Sequence, residues 1–312
     1  MISKSIQRRT FTFIGFGTAL LAVAIMSLVI QGASSGFFTL CLARLPAADP
    51  ANLWREWSFA PAVAFPMAFA TLLYVLGFRR LEFPSERPTI AERVFFTGGM
   101  LVLGVAVLSP LCRMASTLAW AHMLQHVALV AVAPPLLLLS NPGRVLSTGL
   151  SLGWGRSRAR RPIRSDHFLF VSGAYGAAIW FWHVPLFYEA ALLNESVHLL
   201  MYGTLLTVSF TFWKAVIDAV RAPSERSGVV AFSLFGTILH TGLLGALLTF
   251  SQAIWYPLIA LRVMSWGISP LQDQQLAGLI MWVPMGMIYL AAGLAVVGSW
   301  LSALDRPNRV RG

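Results

Sequence analysis

Residues 118–139 read L-A-W-A-H-M-L-Q-H-V-A-L-V-A-V-A-P-P-L-L-L-L, a run without a single Asp, Glu, Lys or Arg. Wound as an α-helix at ~1.5 Å per residue it measures about 33 Å, the thickness of a bilayer's hydrocarbon core. The whole chain shares this character. Of its 312 residues 57% are hydrophobic and 11% charged, with a mean hydropathy of +0.71, whereas soluble domains carry about a quarter charged residues. Eight such stretches are predicted to span a membrane, at about 11–31, 59–78, 94–112, 118–139, 168–188, 197–213, 229–250 and 276–301. The fold class is therefore all-α: a polytopic transmembrane bundle of about eight helices.

The formal charge of +11 raises the question of nucleic acid, and its distribution answers it. Nineteen of the 23 basic residues fall in alternate segments: 1–10, 79–93, 140–167, 214–226 and the tail from 305. The intervening segments hold only Arg44, Arg55, Arg113 and Arg262. Such alternation is the positive-inside pattern, and it predicts cytoplasmic N and C termini. The basic loops then face anionic lipid headgroups, and no nucleic-acid partner is needed. Residues 1–31 read as an extra transmembrane helix or signal-anchor, because an apolar core of about 20 residues exceeds the 7–15 of a cleaved signal. A seven-helix domain over 54–304 and a basic cytoplasmic tail over 305–312 complete the organisation.

Several chemistries lack their motifs. The chain has no Walker A sequence and no G-x-G-x-x-G between strand and helix. Its two cysteines, Cys41 and Cys112, both fall on the outer side of this topology, where a disulfide is conceivable.

What the spans do hold is histidine. His122 and His126 stand one and two turns inside the outer end of the fourth span, about 6 Å apart along one helix face. His183 lies near the outer end of the fifth span and His198 at the outer boundary of the sixth, so four of the six histidines converge in depth on the outer leaflet. His240 lies mid-membrane in the seventh span and His167 on the cytoplasmic side. An i, i+4 histidine pair is a metal-binding spacing, and imidazole suits copper, zinc or iron. Haem held between facing histidines is an alternative, and so is plain polar packing. Pro134-Pro135 should bend the fourth helix towards its inner end. In the last outer loop, Gln272, Asp273, Gln274 and Gln275 stand where the eighth helix begins. Asp273 there suits a helix N-terminus, and the group also reads as a polar lid over the histidines.

Four stretches together carry a resemblance: H-M-L-Q-H with A-P-P-L-L-L-L (122–139), F-W-H-V-P-L-F-Y-E-A-A-L (181–192), V-H-L-L-M-Y with F-W-K-A-V-I (197–217), and S-P-L-Q-D-Q-Q-L-A-G-L-I-M-W-V-P (269–284). With W-R-E-W-S-F-A-P at 54–61 they resemble the CtaG family of membrane-embedded cytochrome c oxidase assembly factors over roughly residues 54–301. The resemblance implies a non-enzymatic role in maturing the haem–copper oxidase in the bacterial plasma membrane. It points to delivery of copper, as Cu(I), at the outer face, with oxidase subunits and a copper chaperone as partners. It implies His122, His126, His183 and His198 as metal ligands and Asp273, Gln274 and Gln275 as signature polar residues. Where the family's sixth helix carries a second histidine four residues after the first, this chain has Tyr202, expected to support a ligand imidazole by hydrogen bonding. A haem-binding redox protein and a metal-free scaffold for oxidase subunits are the competing readings.

Overall fold

A computed structural model describes residues 38–81, 86–150, 165–224 and 227–305. The predicted span at 11–31, the side chain of His167 and nearly all of the basic tail lie outside the described residues. Within them the chain is helical, and no strand occurs. The helices are α1 (Pro61–Arg80), α2 (Ile90–Val107), α3 (Pro110–Ala115), α4 (Ala119–Val127), α5 (Ala133–Leu139), α6 (Pro142–Gly149), α7 (Ser165–His183), α8 (Pro185–Leu193), α9 (Glu195–Arg221), α10 (Ser227–Phe250), α11 (Pro257–Ala260) and α12 (Pro270–Leu304).

Six helical stretches are long and apolar enough to cross a membrane: α1, α2, the α4–α5 unit, α9, α10 and α12. The bent pair α7–α8 supplies a seventh when counted as one span. The sixth span runs on to Arg221, and three other boundaries differ from the sequence reading for a visible local reason. The third predicted span stops at Val107, because Ser109 caps a new short helix that Pro110 opens. The fifth stops at His183 rather than near 188. Val184 is extended (φ −62°, ψ 127°) ahead of Pro185, as a pre-proline residue prefers, and α8 leaves at 73° to α7. The eighth begins earlier, at Pro270, inside a Ser269/Gln272 capping box.

The fourth span is continuous but contains a π-helical turn, Ala128–Val132, between α4 and α5. Its cause is local. Pro134 has no N–H to return to the carbonyl of Val130 four residues back, so that carbonyl must find another donor. Trp213 Nε1 donates to it at 2.8 Å. The proline pair thus resolves as a π-turn followed by a helix start, with Pro134 buried and Pro135 half-buried.

Faces turned away from the bundle are apolar, with Phe69, Leu72, Leu101, Phe232, Leu239 and Leu290 among the exposed side chains. In lipid this is the favourable surface, so close packing rather than hydrophobicity must select helix partners. The α10–α12 pair shows how. A Cβ on Gly278 would stand 2.6 Å from the Gly245 carbonyl oxygen and 2.5 Å from Thr249 Oγ1, so the two backbones meet where glycine permits it.

One end of the bundle gathers the N-termini of α4, α9 and α12 and the C-terminal end of α7. The same end carries the segment 38–60, pinned to α3 by a Cys41–Cys112 disulfide. Basic residues collect at the other end: Arg80 donates to the Gly149 carbonyl at 2.6 Å, Arg144 to the Glu86 carbonyl, and Lys214 pairs with Asp218.

Candidate functional site

The four converging histidines are all inside the protein: His122 is 1%, His126 3%, His183 4% and His198 1% exposed. Each comes from a helix end at the disulfide-bearing side of the bundle. His122 and His126 lie one turn apart on α4, with ring centres 4.4 Å apart. His183, the last residue of α7, presents its ring edge-on to His126 at 5.8 Å. His198, in the first turn of α9, lies close enough to interact electrostatically with both α4 histidines.

Three of these rings are oriented by the backbone. His122 Nδ1 donates to the Ala115 carbonyl at 3.2 Å, His183 Nδ1 to Ile179 at 2.6 Å, and His198 Nδ1 to Ala191 at 3.0 Å. A carbonyl oxygen can only accept, so in each ring the proton is on Nδ1 and the Nε2 lone pair is free. The Nε2 atoms of all four histidines are buried without a hydrogen-bond partner. A buried polar atom left unpaired costs about 1–3 kcal/mol, and four in one place is far from the norm for a packed interior. Backbone-anchored Nδ1–H with Nε2 left open is the arrangement in which ligating imidazoles are held. Among the described residues, however, no group of three or more His, Cys, Asp or Glu forms a ready-made metal site. The rings stand in neighbouring pairs, not in a closed ligand set.

Tyrosines wall the cluster. Tyr202 packs edge-on to His198 at 4.5 Å, and Tyr188 lies 4.6 Å from His122. The hydroxyls of both are buried and unpartnered. Tyr202 therefore contacts a histidine through its ring, and the expected hydrogen bond to an imidazole is not made. Tyr188 was not among the residues expected at the site; its only sequence signal is its place in F-Y-E-A-A, two residues beyond W-H-V-P-L. Beside Tyr202, Gln125 donates to the Ala106 carbonyl at 2.6 Å, leaving its own Oε1 unpartnered.

The polar run 272–275 turns out to organise this wall. Gln272 caps its own helix by accepting from Ser269 N–H at 2.9 Å. Asp273 reaches across to α4, whose N-cap residue Leu118 has no side chain to offer. Its carboxylate accepts from Ala119 N–H at 2.7 Å and Trp120 N–H at 3.0 Å. A carboxylate at that helix start satisfies two orphan donors and the helix dipole together. Asp273 thus lies in the first turn of its own helix and also serves the N-terminus of the histidine helix. Gln274 accepts from Trp255 N–H at 2.7 Å and donates to the Ala253 carbonyl at 3.0 Å, and Gln275 donates to the Ser251 carbonyl at 3.1 Å. These three bonds hold the loop that places Tyr256, whose hydroxyl donates to the His183 carbonyl at 2.9 Å and whose ring stacks on Tyr188 at 4.1 Å. The run is a brace for the histidine helices.

The remaining candidates lie elsewhere. His240 is half-buried on α10 against Gly176 of α7, where an added Cβ would come within 3.0 Å of its Nε2.

Comparison with known proteins adds one finding. The family described as cytochrome c oxidase caa3 assembly factor (Caa3_CtaG) matches residues 72–303, a range that includes every histidine discussed and the 272–275 brace. No curated protein and no solved structure matches the chain.

Proposed function

This chain belongs to the cytochrome c oxidase caa3 assembly factor family, and we propose that its part in oxidase assembly is to bind Cu(I) on His122, His126, His183 and His198 and pass it to the oxidase. The observation that carries the reading is the set of four buried Nε2 atoms without partners, three of them on rings fixed through Nδ1. Two imidazoles on one ion, each bonded at about 2.0–2.1 Å, have ring centres ~5 Å apart, and the observed 4.4 and 5.8 Å bracket that spacing.

The cation is cargo, and the pairwise arrangement suits cargo. Two or three neutral imidazoles in an apolar pocket hold a monovalent soft ion without a full ligand cage that would release it slowly. Each ligand is neutral, so the bound ion brings a single positive charge, and the surrounding tyrosine hydroxyls and Gln125 Oε1 supply dipoles towards it. His183 and His198 wait in fixed tautomers. No such anchor orients the His126 ring among the described residues, which leaves it the ligand free to move with the ion. Haem is supported less well, since rings in mutual contact leave no slot for a macrocycle between axial ligands.

Sidedness belongs to the same proposal. A disulfide at the histidine end suits an oxidising compartment, and the basic residues at the other end suit the cytoplasm. The protein then lies in the bacterial plasma membrane with both termini inside and offers copper at the outer face. Oxidase subunits receive it and a copper chaperone supplies it, with no chemical conversion on this chain. The test is complementation of a strain lacking the protein. The double substitution His122→Ala/His126→Ala should yield oxidase depleted in copper and activity, and full oxidase copper in that strain would reject the role.

A further inference from the structure

The histidine end is closed by a piece of chain with no regular structure of its own. Residues Thr39–Ala48 run between α3 and the end of α8, and Leu40, Cys41, Leu42, Ala43 and Ala48 are all buried. Leu40, Leu42 and Ala43 join the same apolar core as Met123, Tyr188, Leu192 and Met201, and Tyr188 lies against His122. Backbone without helix or strand partners must be satisfied by other means. Here other elements do it: Ala43 N–H donates to the Leu192 carbonyl at 2.9 Å, Ala48 N–H to Thr117 Oγ1 at 2.9 Å, and Arg113 Nη2 to the Pro46 carbonyl at 2.8 Å.

One residue does more than the rest. Arg262, in the loop after α11, donates from Nη1 to the Ala43 carbonyl at 2.7 Å and from Nη2 to the Leu45 carbonyl at 2.8 Å, while its Nε donates to the Ser116 carbonyl at 2.8 Å. Its fork therefore binds the strap to the α3–α4 turn through three backbone oxygens, geometry that lysine cannot reproduce. The attachment points are telling. Ser116 follows Ala115, whose carbonyl orients His122, and Leu192 follows Ala191, whose carbonyl orients His198. Strap position and imidazole orientation are thus coupled through adjacent peptide units, and Cys41–Cys112 tethers the strap to the same α3 helix.

We infer that Thr39–Ala48 is a lid over the histidine cluster, latched by Arg262 and tethered by the disulfide, and that a cation enters and leaves only when the latch opens. Arg262 is a positioning residue in this scheme. It touches no cargo, and its removal keeps all four imidazole ligands in the protein while loosening what covers them. The consequence for the proposed function, on which the cation part of this inference rests, is kinetic. An open lid speeds exchange more than it weakens affinity.

The test uses the purified full-length protein in detergent, as wild type, Arg262→Gln, Arg262→Lys and Cys41→Ser/Cys112→Ser. The metal-free readout is the rate at which diethylpyrocarbonate modifies His122, His126 and His198, followed peptide by peptide. Losing two strap bonds should raise the open population, and with it that rate, ~tenfold or more in Arg262→Gln, with Arg262→Lys between it and wild type. The cysteine pair variant, which keeps Arg262, should also be faster and guards against Arg262→Gln failing to fold. The second readout is the rate at which a bathocuproine chelator strips preloaded Cu(I), which should rise in the same order with a smaller change in equilibrium affinity. Wild-type modification rates in both Arg262→Lys and the cysteine pair would overturn the lid. Faster modification in a protein that holds no Cu(I) would keep the lid and reject the copper reading instead.

Discussion

Two layers of the same helices handle buried polar groups in opposite ways. About four residues further along the fourth span from His126, the released Val130 carbonyl accepts from Trp213 Nε1, and Tyr175 and Tyr289 share a hydrogen bond of 2.6 Å between their hydroxyls. Tyr175 stacks on Phe212 and Trp213 on Tyr289, so polar tips meet one another inside an aromatic shell. In that layer most polar tips find partners within it, Ser209 Oγ being the buried exception. At the histidine end the four Nε2 atoms have no partner, and the Tyr188 and Tyr202 hydroxyls and Gln125 Oε1 make no well-formed hydrogen bond. In a low-dielectric interior such atoms are costly, and a layer that tolerates them is one arranged to receive something. The contrast separates polar groups that build the bundle from polar groups that the bundle is built to present.

Removing the brace tests the presenting layer hardest. Asp273→Ala strips two buried N–H groups of their acceptor at the start of the histidine helix and should cost ~2–4 kcal/mol, read as a thermal shift, with loss of Cu(I) affinity alongside. Asp273→Asn keeps one acceptor and should fall between. The building layer comes next: Trp213→Phe leaves the Val130 carbonyl without its main donor and should cost ~1–3 kcal/mol while Cu(I) binding stays at wild type. If Trp213→Phe abolished Cu(I) binding in folded protein, the division into two layers would fail. His126→Leu sharpens the comparison from the other side. It removes an unpaired buried nitrogen, so the metal-free protein should unfold no earlier than wild type, by up to ~1 kcal/mol later, even as copper binding falls. The smallest effect belongs to Tyr202→Phe, whose lost hydroxyl makes no well-formed hydrogen bond; stability should move by less than ~0.5 kcal/mol in thermal denaturation.

Much of this was legible in residue order, and the illegible part has a common cause. Charge-free runs announced the spans because hydrocarbon demands them, and span direction placed His122, His126, His183 and His198 at one depth. The early ends at Val107 and His183 also had their signals in Ser109-Pro110 and Val184-Pro185, but an apolar run masks a break that leaves hydropathy unchanged. The bonds made by 272–275 were out of reach. Asp273 caps a helix 154 positions away in sequence, and nothing local distinguishes that from capping its own. Tyr202 could be placed beside His198 by helical spacing, yet whether its ring or its hydroxyl met the imidazole depended on the rotamer. Cys41 and Cys112 were matched in depth, and the disulfide between them closes a loop whose other ties, through Arg262 and Arg113 to backbone carbonyls, leave no mark in the sequence.

The central claim is that the unpartnered imidazoles hold copper. Metal quantification on purified wild-type protein and on His122→Ala/His126→Ala, both loaded with Cu(I) and freed of excess, addresses it directly. The account predicts roughly one copper per wild-type chain and less than about a tenth of that in the double variant, since removing two of four ligands leaves no neighbouring pair on α4. Equal copper in the two proteins, or none in either, would contradict it.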